Sequence, residues 1–305
     1  MIKMMAAMMA ATILFTGAAA TKVEAASDMK FKTDLSLEVL FDARRIKFDV
    51  KPKMVDGSVL VPIRFVSEKL GGKLEVKGKD ITITKGTKVL KLTMDSKKAA
   101  FNGKAVTLTQ PAMVVSGRTL VPLRAISEGL AVNVQWDQTN NYVWIGKTDV
   151  PHVDDLIKET DAKPYMKYYP KDDTILTIFS SDPNFNGKKQ TTIRLVKSDD
   201  FPLVMGNGRI IFRLDKSLAP DGGEYVRFSS NYRGSMNNSL FLLQSGVEMK
   251  LHGPRWDDES DKTVTLEYIP MIKRFSQEKT KMKDIEYFGF NLSGHSLYAM
   301  KNEWR

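Results

Sequence analysis

Apolar residues recur at helical spacing in two short segments that lie sixty residues apart. The positions are Ile63, Val66 and Leu70, followed by Leu123, Ile126 and Leu130. Intervals of three and four residues place the apolar side chains of each segment on one face of a helix. A helix this short is marginal in water by itself. Each predicted helix therefore needs a sheet on which to bury its apolar face.

The two segments belong to a longer internal repeat. The run VPIRFVSEKL, starting at residue 61, returns as VPLRAISEGL, starting at residue 121. Proline fits the first helical position, and an arginine four residues before a glutamate allows an ion pair worth about 0.2–0.5 kcal/mol. The predicted structural motif is Pro62, Arg64 and Glu68 in the first copy and Pro122, Arg124 and Glu128 in the second.

The residues around both helices have the alternation and composition of strands. Strands are predicted at 81–84, 89–94 and 142–145, and Asn102-Gly103 indicates a two-residue hairpin turn. At the corresponding place the first copy has Asp42-Ala43, a weaker turn signal. The predicted fold is an α+β domain in which antiparallel strands wrap on short helices, built from a duplicated βαββ-type unit. Its copies span about residues 38–97 and 98–147.

The second copy also has a family resemblance. The runs VSGRTLVPLRAISE at 115–128 and VQWD at 134–137 resemble the copper amine oxidase N-terminal-like domain, also called the stalk domain, of secreted bacterial proteins. The resemblance covers about residues 38–147. It implies an α+β module that usually occurs on exported proteins, often beside an unrelated domain. It implies neither copper nor oxidation.

The oxidase chemistry itself is not predicted. A copper amine oxidase needs an Asn-Tyr-Asp or Asn-Tyr-Glu cofactor precursor and three histidine ligands. Here valine follows Asn141-Tyr142 and arginine follows Asn231-Tyr232, and the histidines at 152, 252 and 295 share no motif spacing. We therefore expect no cofactor and no metal site, and we assign no catalytic residue.

The start of the chain predicts export. Residues 1–25 have the pattern of a signal peptide: a basic start at Lys3, an apolar run over 4–15 and a small-residue cleavage site at Val23-Glu24-Ala25. The apolar run is too short to favour a permanent membrane span. The chain has no cysteine, so disulfides and thiolate chemistry are excluded. The expected location is extracellular, with the cell wall as a candidate.

The charge is concentrated in the first half. The formal net charge is +10, and residues 1–150 contain 23 basic and 14 acidic residues, a net charge of +9. Outside the cell such a surface would attract anionic cell-wall polymers or glycan, whereas export makes nucleic acid an improbable partner. The alternative is a solvated face that only keeps the domain soluble.

Residues 148–173 have the prolines and charges of a linker, with a short helix predicted at 153–160. Tyr165, Tyr168 and Tyr169 form a cluster that could stack on sugar rings or anchor the linker onto the neighbouring domain, and we favour the anchor. Residues 174–305 predict a mainly-β, sandwich-like domain. Its strands are predicted at 174–179, 191–197, 209–214, 224–228, 239–243, 247–251, 263–268, 287–292 and 297–300, with one helix at 272–282.

Candidate chemistry in the second half is weak. The acidic cluster at 257–261 could hold calcium but is better explained as a solvated loop, and His295 beside Ser296 does not form a nucleophile elbow. The pairs Asp172-Asp173 and Asp199-Asp200 could supply carboxylates for glycoside hydrolysis. The favoured hypothesis is a secreted, non-catalytic cell-envelope protein in which a stalk-like module presents a β-rich binding domain. The alternatives are a secreted hydrolase of glycan or peptidoglycan and a purely structural spacer.

Overall fold

The computed structural model describes residues 30–168, 192–206, 208–232, 240–243, 256–258, 264–271, 279–290 and 297–305. Strands dominate these residues and helices are few, both in the second half, for which the sequence predicts a mainly-β fold, and in the first half, for which it predicts an α+β fold. The expected signal peptide at 1–25 lies outside the described residues. The same is true of the strands predicted at 174–179 and 247–251.

The first half consists of short strands and two eight-residue helices. Its strands are β1 Lys32–Thr33, β2 Glu38–Phe41, β3 Arg44–Arg45, β4 Lys53–Val55, β5 Ser58–Pro62, β6 Lys73–Lys77, β7 Asp80–Lys85, β8 Lys88–Thr93, β9 Lys98–Phe101, β10 Lys104–Thr107, β11 Met113–Val115, β12 Arg118–Pro122, β13 Val134–Asp137 and β14 Tyr142–Ile145. The helices α1 Ile63–Leu70 and α2 Leu123–Leu130 follow β5 and β12 directly.

Strands β2 to β14 form three sheets, whereas β1 pairs with a strand of the second half. The central sheet has the order β11-β12-β5-β4, the meander sheet β10-β9-β8-β7-β6, and the junction sheet β13-β14-β2-β3. The strands of the central and meander sheets are antiparallel, as predicted. In the junction sheet β14 runs parallel to β2, which the prediction of antiparallel strands missed. A parallel pair needs a long crossover connection, and here most of the module lies between the two strands.

Both helices pack into one apolar core rather than two separate ones. Val66 of α1 and Ile126 of α2 are fully buried in the same cluster, together with residues of all three sheets. In the central sheet β5 lies beside β12, and Val61 stands directly opposite Val121. The apolar faces predicted from spacing are therefore the faces that are buried, but each helix shares its core with the other.

The two helices begin alike and end differently. Pro62 and Pro122 are the last residues of their strands and cap the helices with ψ angles of 128° and 124°, so the prediction that proline is the first helical residue is wrong by one position. Helix α1 ends at Gly71, which has a φ of 67°. Helix α2 ends at Ala131 with a φ of 54°, a left-handed conformation that glycine adopts more readily.

The hairpin predicted at Asn102-Gly103 is confirmed between β9 and β10. Both turn residues have positive φ angles, 50° and 82°, as a type I′ turn requires. The Asn102 side-chain oxygen also accepts a hydrogen bond from the backbone N–H of Val89 at 2.7 Å. The weaker signal at Asp42-Ala43 forms a similar turn, with φ angles of 47° and 60°.

The second half begins within the predicted linker. Its elements are α3 Val153–Leu156, β15 Glu159–Asp161, β16 Thr192–Val196, β17 Leu203–Val204, β18 Ile210–Leu218, β19 Glu224–Ser230, β20 Leu240–Leu243, β21 Trp256–Asp258, β22 Thr265–Pro270, β23 Tyr287–Phe290 and β24 Leu297–Lys301, with 3₁₀ turns at Met166–Tyr168, Ser198–Asp200 and Met282–Asp284. The strands predicted at 191–197, 209–214, 224–228, 239–243, 263–268, 287–292 and 297–300 overlap β16, β18, β19, β20, β22, β23 and β24.

The helix predictions for the second half agree less closely with the structure than the strand predictions do. The one predicted over 153–160 is a single turn, because the chain is extended from residue 157 and pairs as β15. Of the helix predicted over 272–282, residues 272–278 lie outside the described residues, and Met282 begins a 3₁₀ turn.

Two sheets build the second half. The long sheet has the order β1-β18-β19-β22-β21, with β17 also paired to β18, and the mixed sheet has the order β15-β16-β24-β23-β20. Strands β16 and β24 are parallel. Residues of both sheets, including Phe228 and Phe290, lie in one apolar cluster. Strand β1 precedes the module and β15 comes from the predicted linker, so both connecting segments contribute strands to the second half.

Candidate functional site

The two halves meet along the outer face of the junction sheet. Leu40 and Tyr142 are fully buried and Trp144 is 8% exposed, although these side chains alternate with others that point into the module core. They form a small apolar cluster, against which Phe212 of β18 packs. Strands β2 and β14 of the junction sheet are therefore buried on both faces.

Three buried charged side chains lie beside this apolar contact. Arg213 and Asp215 are on β18, Arg227 is on β19, and Asp215 stands directly opposite Arg227 across the two strands. The Asp215 carboxylate accepts from Arg213 Nη2 at 2.6 Å and from Arg227 Nη1 at 3.0 Å. None of the three residues is more than 7% exposed. We call these residues the charged triad.

The charged triad is bonded to the module as well as to itself. Arg213 Nη1 donates to the backbone oxygen of Asn140 at 2.5 Å, and Arg227 Nη2 donates to that of Thr139 at 2.5 Å. The Asn140 side-chain oxygen accepts from Ser229 Oγ at 2.5 Å. Both arginines thus hold the turn between β13 and β14 against the long sheet. Charge-assisted bonds in a buried site are strong and depend on geometry.

Tyr142 completes the contact. Its hydroxyl accepts from Arg45 Nη2 at 2.5 Å and donates to the Phe212 backbone oxygen at 2.7 Å, so it bonds to both halves. Burial raises the pKa of this hydroxyl, and Arg45 and Arg213 lower it by less. Burial is the largest single influence on Arg213 and opposes its charge, but Asp215, Tyr142 and Glu38 together outweigh burial, so the pKa of Arg213 lies above its ordinary value. The arrangement keeps Tyr142 neutral and Arg213 charged.

The carboxylates proposed for hydrolysis lie at the exposed rim of this junction. Lys47 Nζ is 2.7 Å from Asp199 Oδ2, and the hydrogen bond to Asp199 raises the pKa of Lys47. Asp200 Oδ2 accepts from the backbone N–H of Lys197 at 2.8 Å. Asp172 and Asp173 lie outside the described residues. The positions of Asp199 and Asp200 add no support to the hydrolase hypothesis.

The tyrosine cluster lies elsewhere, on the mixed sheet. The ring centroids of Tyr165 and Tyr168 are 5.8 Å and 5.0 Å from that of Tyr287 on β23, within an apolar cluster of their own. Tyr169 is outside the described residues. The two described tyrosines thus contact the second half at the end of the linker.

The motif residues of the repeat lie at the starts of the two helices and on their exposed faces. Arg124 and Glu128 form the predicted pair, with Nε and Oε1 3.9 Å apart and both side chains exposed. Arg64 and Glu68 are also exposed on α1, and Pro62 and Pro122 are buried at the ends of β5 and β12. The structure does not gather these residues into one site.

Part of the basic charge of the module lies on the outer face of the meander sheet, which also carries Glu75 and Asp80. Strand alternation and register place Lys73, Lys77, Lys91 and Lys98 on this face, and all four are exposed. We call it the lysine face. Lys77 Nζ is 2.8 Å from Glu75 Oε1, and this hydrogen bond lowers the pKa of Glu75.

In the described part of the chain, no three histidine, cysteine, aspartate or glutamate side chains lie close enough together to hold a metal ion. His252, His295 and the side chains of 257–261 lie outside that part. No helix in it has the length and apolarity needed to cross a membrane.

The arrangement of the first half agrees with a comparison against protein families. Residues 40–145 match the family model of the copper amine oxidase N-terminal domain. The match confirms the resemblance inferred for residues 38–147 and spans α1, α2 and the strands β2 to β14 almost completely. The corresponding searches found no matching curated protein and no matching solved structure.

Sequence reasoning missed the charged triad and the role of Tyr142. A signal for the junction was present in the sequence. Residues 142–145 read YVWI, an unbroken apolar run that is typical of a strand buried on both faces. No comparable signal identified Arg213, Asp215 and Arg227, because charged residues in a strand normally mark its solvated side.

Proposed function

We propose that this protein is exported and acts without catalysis at the cell envelope, with residues 40–145 serving as a stalk-like module for the β-rich second half. The charged triad carries the proposal. Two buried arginines bonded to the turn at Thr139 and Asn140 would hold the second half in one orientation relative to the module. A fixed orientation is what a presenting module requires.

Three other observations support the proposal. The family match is to the copper amine oxidase N-terminal domain, which is consistent with a non-catalytic stalk-like module. The start of the chain has the pattern of a signal peptide. The lysine face offers exposed positive charge, which would attract anionic wall polymers through a field that salt screens.

We also infer that residues 38–97 and 98–147 are two copies of one unit, related by an approximate two-fold axis near Val61 and Val121. A shift of sixty residues relates β2–β3 to β9–β10, β4–β5 to β11–β12, α1 to α2, and β6–β7 to β13–β14. Failure of the backbones of the two segments to superpose would contradict the duplication. The single apolar core between the long and mixed sheets likewise supports a sandwich-like second half.

The wall-association part can be tested with isolated cell walls at graded salt. We expect the mature protein to be retained at low salt and released as salt rises. A variant with Lys73→Gln, Lys91→Gln and Lys98→Gln should lose most of this retention. The matched control changes three exposed lysines of the second half, Lys158, Lys163 and Lys301, to glutamine. Equal retention of both variants, or no retention of the unmodified protein at low salt, would contradict the role of the lysine face.

A further inference from the structure

Exposed apolar side chains occur at equivalent positions of the two copies. Met54 is 44% exposed and Val114, sixty residues later, is 59% exposed. Val76 is 48% exposed and Trp136, again sixty residues later, is 46% exposed. Single exposed apolar residues are ordinary, but apolar groups that line a concave surface indicate a binding site.

Met54 and Trp136 line the same groove. It has a volume of about 740 Å³ and lies between the β4–β5 hairpin, the exposed side of α2 and strand β13. Trp136 stands opposite Val143 of β14, which also lines the groove. One side of the groove is thus the tryptophan on a rigid strand, and the hairpin forms the other.

The polar groups of the groove are mixed in charge. Arg124 and Glu128 are 3.9 Å apart and both exposed. Asp56 Oδ2 accepts from Gln110 Nε2 at 2.8 Å, and Gln135 and Gln138 also line the groove. One arginine against two carboxylates gives no excess positive charge, although the module as a whole is basic. A polyanion would find no electrostatic advantage here.

The ligand that fits this combination is uncharged, with hydroxyl or amide groups at its edge and an apolar face. A sugar ring has this chemistry: its C–H face can lie on an indole ring, and its edge can bond to amides, a guanidinium and carboxylates. A second protein copy would be expected to bring a larger apolar surface than one tryptophan and one methionine can match.

The equivalent positions in the first copy lack these groups. Val76 and Gly78 stand where the second copy has Trp136 and Gln138. The first copy therefore offers a natural comparison at the same place in the same fold, without the ring and without the amide.

We propose that the groove beside Trp136 binds an uncharged glycan, with the indole ring as the platform on which a sugar ring stacks. The proposal deepens the proposed association with the cell wall: the lysine face would supply long-range attraction and the groove would supply recognition. The two differ in chemistry, so salt should separate them.

The test measures binding of soluble hexamers of N-acetylglucosamine and of glucose to the full-length mature protein by calorimetry. We expect one hexamer to bind with an affinity that changes less than twofold between 50 and 500 mM salt, because no net charge is involved. Trp136→Ala should weaken binding at least tenfold. The matched control Val76→Ala should stay within twofold of the unmodified protein, and urea unfolding should show that both variants remain folded.

Other outcomes would contradict either the groove proposal or the proposed association with the cell wall. No binding of either hexamer at millimolar concentration, or equal binding by Trp136→Ala, would overturn the groove proposal. A dimer in sedimentation that depends on Trp136 would assign the groove to a second copy and would also overturn it. Binding that persists in the glutamine variant of the lysine face, together with failure of wall retention, would remove the wall association and leave the glycan site intact.

Discussion

The two copies of the repeat bury the same inner faces but differ on their outer faces. On the outer side β7 has Thr82 and Thr84, which are partly exposed, whereas β14 has Tyr142 and Trp144 at the positions sixty residues later. The threonines belong to the meander sheet and its solvated lysine face. The tyrosine and tryptophan belong to the junction sheet and pack on the second half. The same local fold therefore becomes a surface in one copy and an interface in the other.

The helices show a second difference of the same kind. Lys69 of α1 is exposed, but its counterpart in α2 is Gly129, where a Cβ atom would lie 3.1 Å from Leu90 and 3.3 Å from Phe101. Helix α2 approaches β8 and β9 so closely that a side chain at position 129 would require Leu90 and Phe101 to shift. Equivalent positions thus tolerate different residues because their tertiary neighbours differ, and four predictions test the contrasts between the two copies.

The largest effect is expected from Asp215→Asn. The change leaves Arg213 and Arg227 buried without their counter-charge, and breaking a buried ion pair in this way costs about 3–5 kcal/mol. Urea unfolding at neutral pH measures the free energy of unfolding. The control is Asp80→Asn on the solvated meander sheet, where Asp80 is exposed and accepts from Thr93 Oγ1. We expect a change within about 0.5 kcal/mol there, and equal losses would refute the assignment of the junction.

The next effect concerns the two helices. Gly129→Val should destabilise the protein by about 1–3 kcal/mol, because the new side chain overpacks the contact with Leu90. At the equivalent exposed position, Lys69→Gly and Lys69→Val together give the effect of changing glycine to valine without the packing contact, and this effect is the control for helix propensity. Subtracting it from the effect of Gly129→Val isolates the packing term. No difference would mean that α1 and α2 are packed alike.

A third prediction uses pH. Burial raises the pKa of the Tyr142 hydroxyl in the folded state. In the unfolded state this hydroxyl ionises above about pH 10, the ordinary pKa of tyrosine, whereas in the folded state it is still neutral there. The stabilising contribution is fully present below pH 10 and is lost as pH rises further, at up to about 1.4 kcal/mol per pH unit. Tyr142→Phe should remove this part of the alkaline slope and leave the part due to lysines. Identical slopes between pH 9 and 11 would contradict the buried, neutral state of Tyr142.

The smallest effect concerns the helix ends. Ala131→Gly should stabilise the protein by about 0.5–1 kcal/mol, because Ala131 adopts a φ of 54° that favours glycine. The reciprocal change Gly71→Ala, at a φ of 67°, should destabilise it by about 1 kcal/mol. Thermal unfolding of both variants measures the pair. Changes of the same sign would show that the two helix ends are not equivalent.

Local features of the fold could be predicted from particular residues. The spacing of Val66 and Leu70 predicts the buried face of α1, Gly71 predicts its end, and Asn102-Gly103 predicts a hairpin. Each of these depends on residues close together in the chain, so a short window contains the whole physical reason.

The candidate site could not be predicted in the same way. The alternation of Arg213 and Asp215 in β18 is what a strand with one wet side would show. These charged side chains are buried only because the turn at Thr139 and Asn140 packs over that face of β18. This turn lies more than seventy residues earlier in the chain. The groove beside the exposed Trp136 could not be predicted either. Its other side contains Met54 and Asp56, which lie close to Trp136 only because β5 pairs with β12.

The sequence by itself determined the local elements of this protein: the stripes on the helices, the turn residues, the mainly-β composition and the resemblance of residues 38–147 to a stalk domain. Only the tertiary structure decided which of two similar sheets became an interface, where the buried charges found their partners and which exposed tryptophan faces a groove. The physical reason is that backbone propensity and apolar periodicity act within a few residues. Burial and charge pairing depend on whichever segment the completed fold places alongside.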